Sequence, residues 1–180
     1  MKKNNLKITV AGSGYVGMSI STLLSQKNLV TVFDIDESRV KKINNRQSTV
    51  RDELIDEYLL KKDLNLTATN NQDVAYKDAD FVLMALPTDF DEKENSFDTS
   101  ILDQEIKSVI EKNNKCFVII KSTIPIGHTN NLRNIFNTNR ILYSPEFLRE
   151  GNALADNLNP SRIIVGDYTE GAQIFGKLLK

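Results

Sequence analysis

A glycine-rich turn followed by an acidic residue is the first feature of this sequence that could do chemistry. Residues 12–17 read G-x-G-x-x-G, and Asp34 follows about 20 residues later, at the end of a second apolar segment. In this pattern Gly12 permits a tight strand-to-helix turn, Gly14 lets a pyrophosphate approach the backbone, and Gly17 allows the helix to pack closely on the sheet. Free N–H groups at the start of that helix would bind the phosphates. The pattern therefore predicts a dinucleotide-binding site.

The acidic residues after the turn indicate which dinucleotide is bound. Asp34 would accept hydrogen bonds from the adenosine ribose hydroxyls, and a second carboxylate at Asp36 would repel a 2′-phosphate. This arrangement favours NAD over NADP, although Arg39 nearby keeps NADP open. A dinucleotide site is compatible with dehydrogenases, with flavoproteins and with regulatory domains that only sense NAD(H), so the reaction has to be inferred from other residues.

Two polar turns follow apolar segments that have the character of buried strands. Residues 116–120 run into KSTIPIGHT at 121–129, and residues 81–86 run into Pro87 and Thr88. Ligands bind beyond the carboxyl ends of parallel strands, so Thr123 could place its hydroxyl near a nicotinamide ring. The alternative is that each turn is a helix N-cap followed by proline in the first helical turn.

A third segment of this kind, residues 143–151 (YSPEFLREG), combines charged and apolar side chains. It contains two carboxylates and an arginine within five residues, Glu146, Arg149 and Glu150, interleaved with Phe147 and Leu148. A carboxylate held near a reacting alcohol can act as a general base or orient a water molecule. The alternative is a solvated, charged loop without a chemical role.

Composition excludes several other classes of protein. The 23 basic residues balance the 24 acidic ones, which argues against a nucleic-acid-binding face. The one cysteine, Cys116, excludes an intramolecular disulfide, and with a single histidine, His128, little remains for a transition-metal site. No apolar run approaches the roughly 20 residues that span a bilayer, and the amino terminus does not have the pattern of a signal peptide. We therefore expect a reduced, soluble cytoplasmic domain with no membrane or nucleic-acid partner and no metal.

The order of apolar and amphipathic segments predicts the elements that position these residues. Strands are expected at 6–11, 29–33, 64–67, 81–86, 116–120, 140–143 and 162–165. Helices are expected at 15–26, from an N-cap at Asp36, and at 51–62, 99–112, 126–136 and 169–180. The polar stretch 89–98 is expected to be a mobile surface loop. This alternation predicts an α/β, Rossmann-type doubly wound fold, with a mainly parallel sheet covered by helices on both faces.

Taken together, the motifs resemble the N-terminal NAD-binding domain of the UDP-glucose/GDP-mannose dehydrogenases, in order and over essentially the whole chain. The resemblance is carried by GSGYVG (12–17), FDID (33–36), LPT (86–88), KSTIPIGHT (121–129), SPEFLREGNAL (144–154) and PSRIIVG (160–166). SPEFLRE and PSRIIVG are most similar to the bacterial branch that acts on UDP-glucose. UDP-N-acetylmannosamine and GDP-mannose remain possible substrates.

The resemblance implies a role for each matching residue. It implies NAD contacts from the glycine turn, with Tyr15 and Val16, and from Asp34, Arg39, Thr88, Thr123 and Glu150. It implies a sugar-nucleotide site along Glu146, Phe147, Leu148, Arg149 and Glu150. Glu146 would serve in proton transfer and act on the hydrolytic water, with Thr123 assisting through that water. The implied reaction oxidises a primary alcohol to a carboxylate in two steps with two NAD, through a thiohemiacetal on a cysteine.

In this family that cysteine belongs to a later domain, together with a lysine and an asparagine. Cys116 opens a strongly apolar run, where a buried inert thiol is expected, so it does not replace the missing nucleophile. We therefore expect residues 1–180 to be the NAD(P)-binding Rossmann domain of a longer homodimeric enzyme, without its central helical and C-terminal UDP-binding domains and inactive alone. The alternative is a stand-alone NAD-sensing regulatory module, which would have no use for the 121–129 and 144–151 motifs.

Overall fold

A parallel sheet organises the molecule, and a computed structural model describes it over residues 6–93 and 95–180. The strands are β1 (Lys7–Ala11), β2 (Leu29–Phe33), β3 (Leu66–Thr69), β4 (Phe81–Met84), β5 (Phe90–Asp91), β6 (Ser96–Phe97), β7 (Phe117–Ile120) and β8 (Ile141–Tyr143). The helices are α1 (Tyr15–Ser25), α2 (Glu37–Asn44), α3 (Glu53–Lys61), α4 (Gln72–Tyr76), α5 (Ser100–Lys112), α6 (His128–Ile135), α7 (Ala153–Leu158) and α8 (Glu170–Leu178).

The order of the strands creates a binding crevice at one edge of the sheet. Six strands pair in parallel in the order β3-β2-β1-β4-β7-β8. Counted within the sheet alone, this is the order 3-2-1-4-5-6 of the doubly wound dinucleotide-binding fold, which confirms the predicted fold class. The chain reverses its direction of winding between β1 and β4, so a crevice opens beyond the carboxyl ends of these two strands.

Alternation of side chains along the buried strands produces one apolar core on each face of the sheet. In β4, Phe81 and Leu83 face one cluster, while Val82 and Met84 face the other. The first cluster packs against α1, α3 and α8, and the second against α5 and α6. Because both faces are covered, the central strands contain almost only apolar residues, as the sequence indicates.

Two aspartates fix the starts of helices by accepting hydrogen bonds from backbone N–H groups. Asp36 caps α2 by accepting a hydrogen bond from the Ser38 N–H (2.8 Å), which confirms the predicted cap. Hydrogen bonding from Ser38, through its side chain and its N–H, holds the pKa of Asp36 below its usual value. Asp52 is buried and accepts from two N–H groups at the start of α3. Its other oxygen accepts from the Leu154 N–H (3.2 Å), so this carboxylate also ties α7 to α3.

One predicted segment is wrong, and another contains elements that the sequence does not indicate. The predicted surface loop 89–98 is largely exposed where the structure describes it, and it contains the short strands β5 and β6. They pair through the Asp98 N–H donating to Asp89 C=O (2.8 Å) and edge-on packing of Phe90 on Phe97. Residues 162–165 are not a strand. That segment lies beside β8 without pairing with it as a strand. Gly166 N–H donates to Tyr143 C=O (2.8 Å) and the Ser144 hydroxyl donates to Ile164 C=O (2.7 Å).

The other predicted elements are confirmed with small shifts at their ends, and two short helices are added. Predicted strand 64–67 is β3 at Leu66–Thr69, and predicted helix 126–136 is α6 at His128–Ile135. Helices α4 and α7 have only five and six residues, too few for a helical period to show in the sequence. Within the part of the chain that the structure describes, no helix is both long and apolar enough to cross a bilayer.

Candidate dinucleotide site

The three glycines of the turn have different structural tasks. Gly12 has φ +96°, and a Cβ there would lie 2.3 Å from the Ala85 carbonyl oxygen. A Cβ on Gly17 would lie 2.0 Å from the Gly12 carbonyl oxygen, so both positions require glycine for packing. Gly14 has φ −75°, and a Cβ there would meet no atom within 4 Å. Two of the glycines therefore build the turn, and the third leaves open space in front of it.

Asp34 is held at the end of β2 by donors from both sides of the turn. Its Oδ2 accepts from the Ser13 N–H (3.1 Å) and from the Ser13 hydroxyl, and its Oδ1 accepts from the Asp36 N–H (3.0 Å). Arg39 lies 3.7 Å from both Asp34 and Asp36, so its charge is shared between two carboxylates. This pairing leaves the side chain of Arg39 less available to a 2′-phosphate, in keeping with NAD as the dinucleotide.

A cleft of about 760 Å³ opens in front of the glycine turn, and we call it the dinucleotide cleft. Eight residues selected from the sequence line it: Gly12, Gly14, Tyr15, Val16, Asp34, Arg39, Leu148 and Glu150. Nine further residues complete the lining: Ser13, Phe33, Ile35, Asp36, Ala85, Leu86, Pro87, Ile101 and Glu105. The cleft therefore joins the turn, the end of β2, the segment after β4, one face of α5 and the loop after β8.

The residues present fit NAD. Gly14 is the N-cap of α1 and provides no side-chain cap, so the first N–H groups of this helix can bind phosphate oxygens in the cleft that Gly14, Tyr15 and Val16 line. Ile35 is 86% exposed and Ile101 56% exposed, and both line the cleft, where a planar base could cover them. Together with the carboxylate of Asp34 for a ribose, these groups match the three parts of an adenosine diphosphate moiety.

Several site residues selected from the sequence lie outside this lining. Thr88, Thr123, Glu146, Phe147 and Arg149 do not line the dinucleotide cleft, and Gly17 is buried within the turn. The side chains of the loop after β8 therefore lie in two different places. Leu148 and Glu150 enter the cleft, whereas Glu146 points into a separate small cavity of about 20 Å³.

A buried lysine accounts for the position of Glu146. Lys121, directly after β7, is only 5% exposed, and its Nζ lies 3.1 Å from Glu146 Oε2 and 3.3 Å from the Ser144 hydroxyl. Burial lowers the pKa of Lys121, and the nearby Glu146 carboxylate opposes this shift. Lys121 was not selected from the sequence, although it opens the 121–129 motif. The pairing depends on the alignment of two strand ends that are distant along the chain.

The rest of the loop is held by two surface contacts. The Phe147 ring stacks beneath the Arg162 guanidinium at 4.1 Å. Arg149 Nη2 donates to Asp156 Oδ1 (2.7 Å) in α7, and this contact holds the pKa of Asp156 below its usual value. Arg149 therefore connects the loop to α7, and the loop is anchored to the body of the domain.

Cys116 and His128 have structural surroundings. Cys116 is 4% exposed, and burial raises the pKa of its thiol to about 11, so at neutral pH it is a protonated, inert group. His128 Nε2 lies 2.7 Å from Asp103 Oδ1, which joins α6 to α5. Within residues 6–93 and 95–180, no cluster of three or more His, Cys, Asp or Glu side chains is arranged to hold a metal ion.

Comparison with known proteins identifies the class. The family model described as "UDP-glucose/GDP-mannose dehydrogenase family, NAD binding domain" matches residues 6–179. The chain is 48% identical to a UDP-glucose 6-dehydrogenase of Streptococcus pneumoniae over 97% of its length, and 45% identical to one of Campylobacter jejuni over 96%. It covers 46% and 44% of these relatives, so it spans about half of their length.

Solved structures agree on the fold. A UDP-glucose dehydrogenase of Pyrobaculum islandicum superposes with a TM-score of 0.85 at 23% identity, over 99% of this chain and 45% of that one. A GDP-mannose dehydrogenase of Pseudomonas aeruginosa superposes with a TM-score of 0.83 at 19% identity, over 95% and 43%. The chain belongs to the UDP-glucose/GDP-mannose dehydrogenase family and is its NAD-binding domain.

Proposed function

We propose that this domain is the cofactor-binding part of an NAD-dependent UDP-glucose 6-dehydrogenase, which oxidises UDP-glucose to UDP-glucuronate with two NAD. The observation that carries the proposal is the loop after β8. In this loop Leu148 and Glu150 line the dinucleotide cleft, and the Glu146 carboxylate lies beside Lys121 at the end of the neighbouring strand β7. The 48% and 45% identity to UDP-glucose 6-dehydrogenases supports UDP-glucose over UDP-N-acetylmannosamine and GDP-mannose.

The proposed reaction needs an acceptor for the hydride of the sugar carbon, which NAD would supply when bound. The residues of this chain bind the cofactor and handle protons: Asp34 binds the ribose, and Glu146 acts on the substrate proton and on the hydrolytic water, with Thr123 assisting. Lys121 gives Glu146 a fixed position, because its Nζ and the carboxylate are paired at 3.1 Å. The segment from Glu146 to Glu150 contributes to the sugar-nucleotide site.

We also propose that the covalent nucleophile comes from another part of a longer protein. Cys116 is buried, and its thiol has a pKa of about 11, so it cannot trap an aldehyde. The chain spans less than half the length of its curated relatives, which leaves room for further domains. A homodimer formed through such domains, and a cytoplasmic location in keeping with the reduced buried thiol, belong to the same proposal.

The test is turnover of UDP-glucose, measured as NADH formation and as product by mass spectrometry. The longer protein should form two NADH for each UDP-glucuronate, and Glu146→Gln should remove most of this turnover. Glu111→Gln, a surface change on α5, is the matched control and should leave turnover at the wild-type level. The chain of residues 1–180 should bind NAD and form no NADH.

Each part of the proposal has an outcome that contradicts it. Steady turnover by the 180-residue chain alone would contradict the argument that the nucleophile lies elsewhere. Full turnover by a folded Glu146→Gln variant would contradict the role of Glu146. No turnover by the longer wild-type protein would favour an NAD-sensing module. Faster turnover of UDP-N-acetylmannosamine or GDP-mannose than of UDP-glucose would correct the substrate while retaining the reaction class.

A further inference from the structure

A carboxylate on α5 lies in the dinucleotide cleft, and no motif in the sequence accounts for it. Glu105 lines the same cleft as Gly14 and Asp34. It follows Ile101 by four residues, so the two side chains project from the same face of α5, and Ile101 also lines the cleft. An acidic side chain therefore lies in the largely apolar lining of the dinucleotide cleft.

Two neutral donors hold Glu105 in place. The Tyr76 hydroxyl donates to Glu105 Oε1 at 2.6 Å, and Gln72 Nε2 donates to the same oxygen at 2.9 Å. Tyr76 is fully buried, with its ring packed edge-on against Phe33 at 5.3 Å between centroids. Burial and the contact with Glu105 raise the pKa of Tyr76, so its hydroxyl remains a donor. The position of the carboxylate is therefore set by the core beneath the cleft.

The second oxygen of this carboxylate retains its capacity to accept hydrogen bonds. Both donors bind Oε1, and within the two described ranges no donor reaches Oε2 and no basic side chain pairs with Glu105. An ionised carboxylate accepts hydrogen bonds and donates none. Oε2 can therefore serve a ligand that presents an N–H or O–H group at this wall.

The covalent structure of NAD places the adenine base in this part of the cleft. Adenine is bonded directly to the ribose whose hydroxyls Asp34 is suited to bind. The base must therefore lie next to that ribose, close to Asp34. The next residue, Ile35, and Ile101 on α5 are both exposed, and both line the cleft. They offer apolar surface to the faces of a planar base, and Glu105 offers an acceptor to its edge.

We propose that Glu105 selects adenine by accepting a hydrogen bond from the exocyclic 6-amino group of the base. Hypoxanthine and guanine carry a carbonyl oxygen at the same position, and this oxygen would face a carboxylate that has no proton to donate. A site built to bond one polar group discriminates strongly against an analogue that lacks it. The inference concerns NAD binding by this chain and holds for any sugar nucleotide that the longer protein oxidises.

The test compares two dinucleotides by isothermal titration calorimetry on the 180-residue chain. The first is NAD, and the second is nicotinamide hypoxanthine dinucleotide, in which a carbonyl replaces the 6-amino group. The wild-type chain should bind NAD about tenfold more tightly or better. Glu105→Gln should remove or reverse this preference. Its amide oxygen would take over the two hydrogen bonds at Oε1, and the NH2 group left facing the base can donate to a carbonyl but cannot accept from an amino group.

A control variant separates this effect from net charge. Glu111→Gln makes the same charge change on the same helix, where Glu111 lies 3.9 Å from Lys107 at the surface. It should keep the wild-type preference for NAD. A loss of preference in Glu111→Gln equal to that in Glu105→Gln would overturn the proposal.

Further outcomes would also overturn it. These are equal affinity of the wild-type chain for both dinucleotides, no binding of NAD at all, or a preference that Glu105→Gln leaves unchanged. If circular dichroism shows that Glu105→Gln does not fold, Glu105→Asp retains the charge but shortens the reach to the base. A full wild-type preference in that variant would then overturn the proposal. Turnover of UDP-glucose is measured separately, so failure here leaves the proposed dehydrogenase activity standing.

Discussion

Replacing Gly17 by alanine should unfold the glycine turn, whereas replacing Gly14 by alanine should spare the fold and weaken cofactor binding. A Cβ on Gly17 would lie 2.0 Å from the Gly12 carbonyl oxygen, about 1.4 Å short of the 3.4 Å at which ordinary contact begins. The obstructing atom belongs to the backbone of a tight turn, so it cannot move aside alone. Overpacking of this kind costs about 3 kcal/mol, at the upper end of the usual range.

At Gly14 the same substitution meets open space. Its φ of −75° suits alanine, and a Cβ would have no neighbour within 4 Å. Alanine is a poorer N-cap than glycine, but it also lowers the entropy of the unfolded chain, so we expect a change in unfolding free energy within about 1 kcal/mol. The added methyl would occupy the path of the pyrophosphate, so the affinity for NAD should fall by about tenfold, or about 1.4 kcal/mol.

Urea denaturation followed by circular dichroism measures the stability of both variants, since the chain contains no tryptophan. With an m-value of about 2–3 kcal/mol/M, Gly17→Ala should lower the urea midpoint by about 1–1.5 M. Calorimetric titration with NAD measures binding by the Gly14→Ala variant. A Gly17→Ala variant with the wild-type midpoint, or a Gly14→Ala variant with wild-type affinity, would refute this interpretation of the turn.

Three further predictions concern buried groups of the domain. Asp52→Ala should lower the free energy of unfolding by about 3 kcal/mol in urea denaturation, because the cap of α3 is lost and the Leu154 N–H is left without its acceptor. Cys116 should resist thiol reagents at neutral pH until the chain unfolds, because its pKa is about 11; rapid labelling of the native chain would contradict this. Burial lowers the pKa of Lys121, so protonation of this lysine opposes folding, and that cost disappears as the pH rises towards 10.5. The stability of Lys121→Met should therefore rise less than that of the wild type over this alkaline range.

The sheet and the turn could be predicted because their signals are local. The apolar segment before Gly12, the spacing of the three glycines and the acid at Asp34 all lie within one strand–helix–strand unit. At Gly17 the steric restriction comes from the Gly12 carbonyl in the same turn, and at Gly12 the positive φ of the turn itself favours glycine, so residue type and spacing are sufficient to indicate both. Because helices cover both faces of the sheet, each central strand likewise contains a continuous apolar run that is visible in the sequence.

The predicted strand that failed depends on a partner distant in the chain. Residues 162–165 have the composition of a strand, but within the described residues they form no ladder with β8. Single hydrogen bonds join the Ser144 hydroxyl to Ile164 C=O and Gly166 N–H to Tyr143 C=O. The hairpin within 89–98 is missed for a different reason. Each of its strands has two residues, too few for an alternation to show, although Phe90 and Phe97 pack against each other. For residues 162–165 tertiary pairing decides, and strand propensity is only a weak guide to it.

The sequence by itself determined that this chain builds a doubly wound sheet with an NAD-binding turn, because glycine spacing and strand composition act over short distances. Only the tertiary structure decided how the later motifs are used. In the folded chain Glu146 pairs with the buried Lys121 and Glu150 lines the dinucleotide cleft, although both glutamates belong to one short loop. The tertiary structure also brought Glu105 of α5 to the wall beside Asp34. These proximities follow from the packing of strands and helices far apart in the chain, and no spacing along the sequence encodes them.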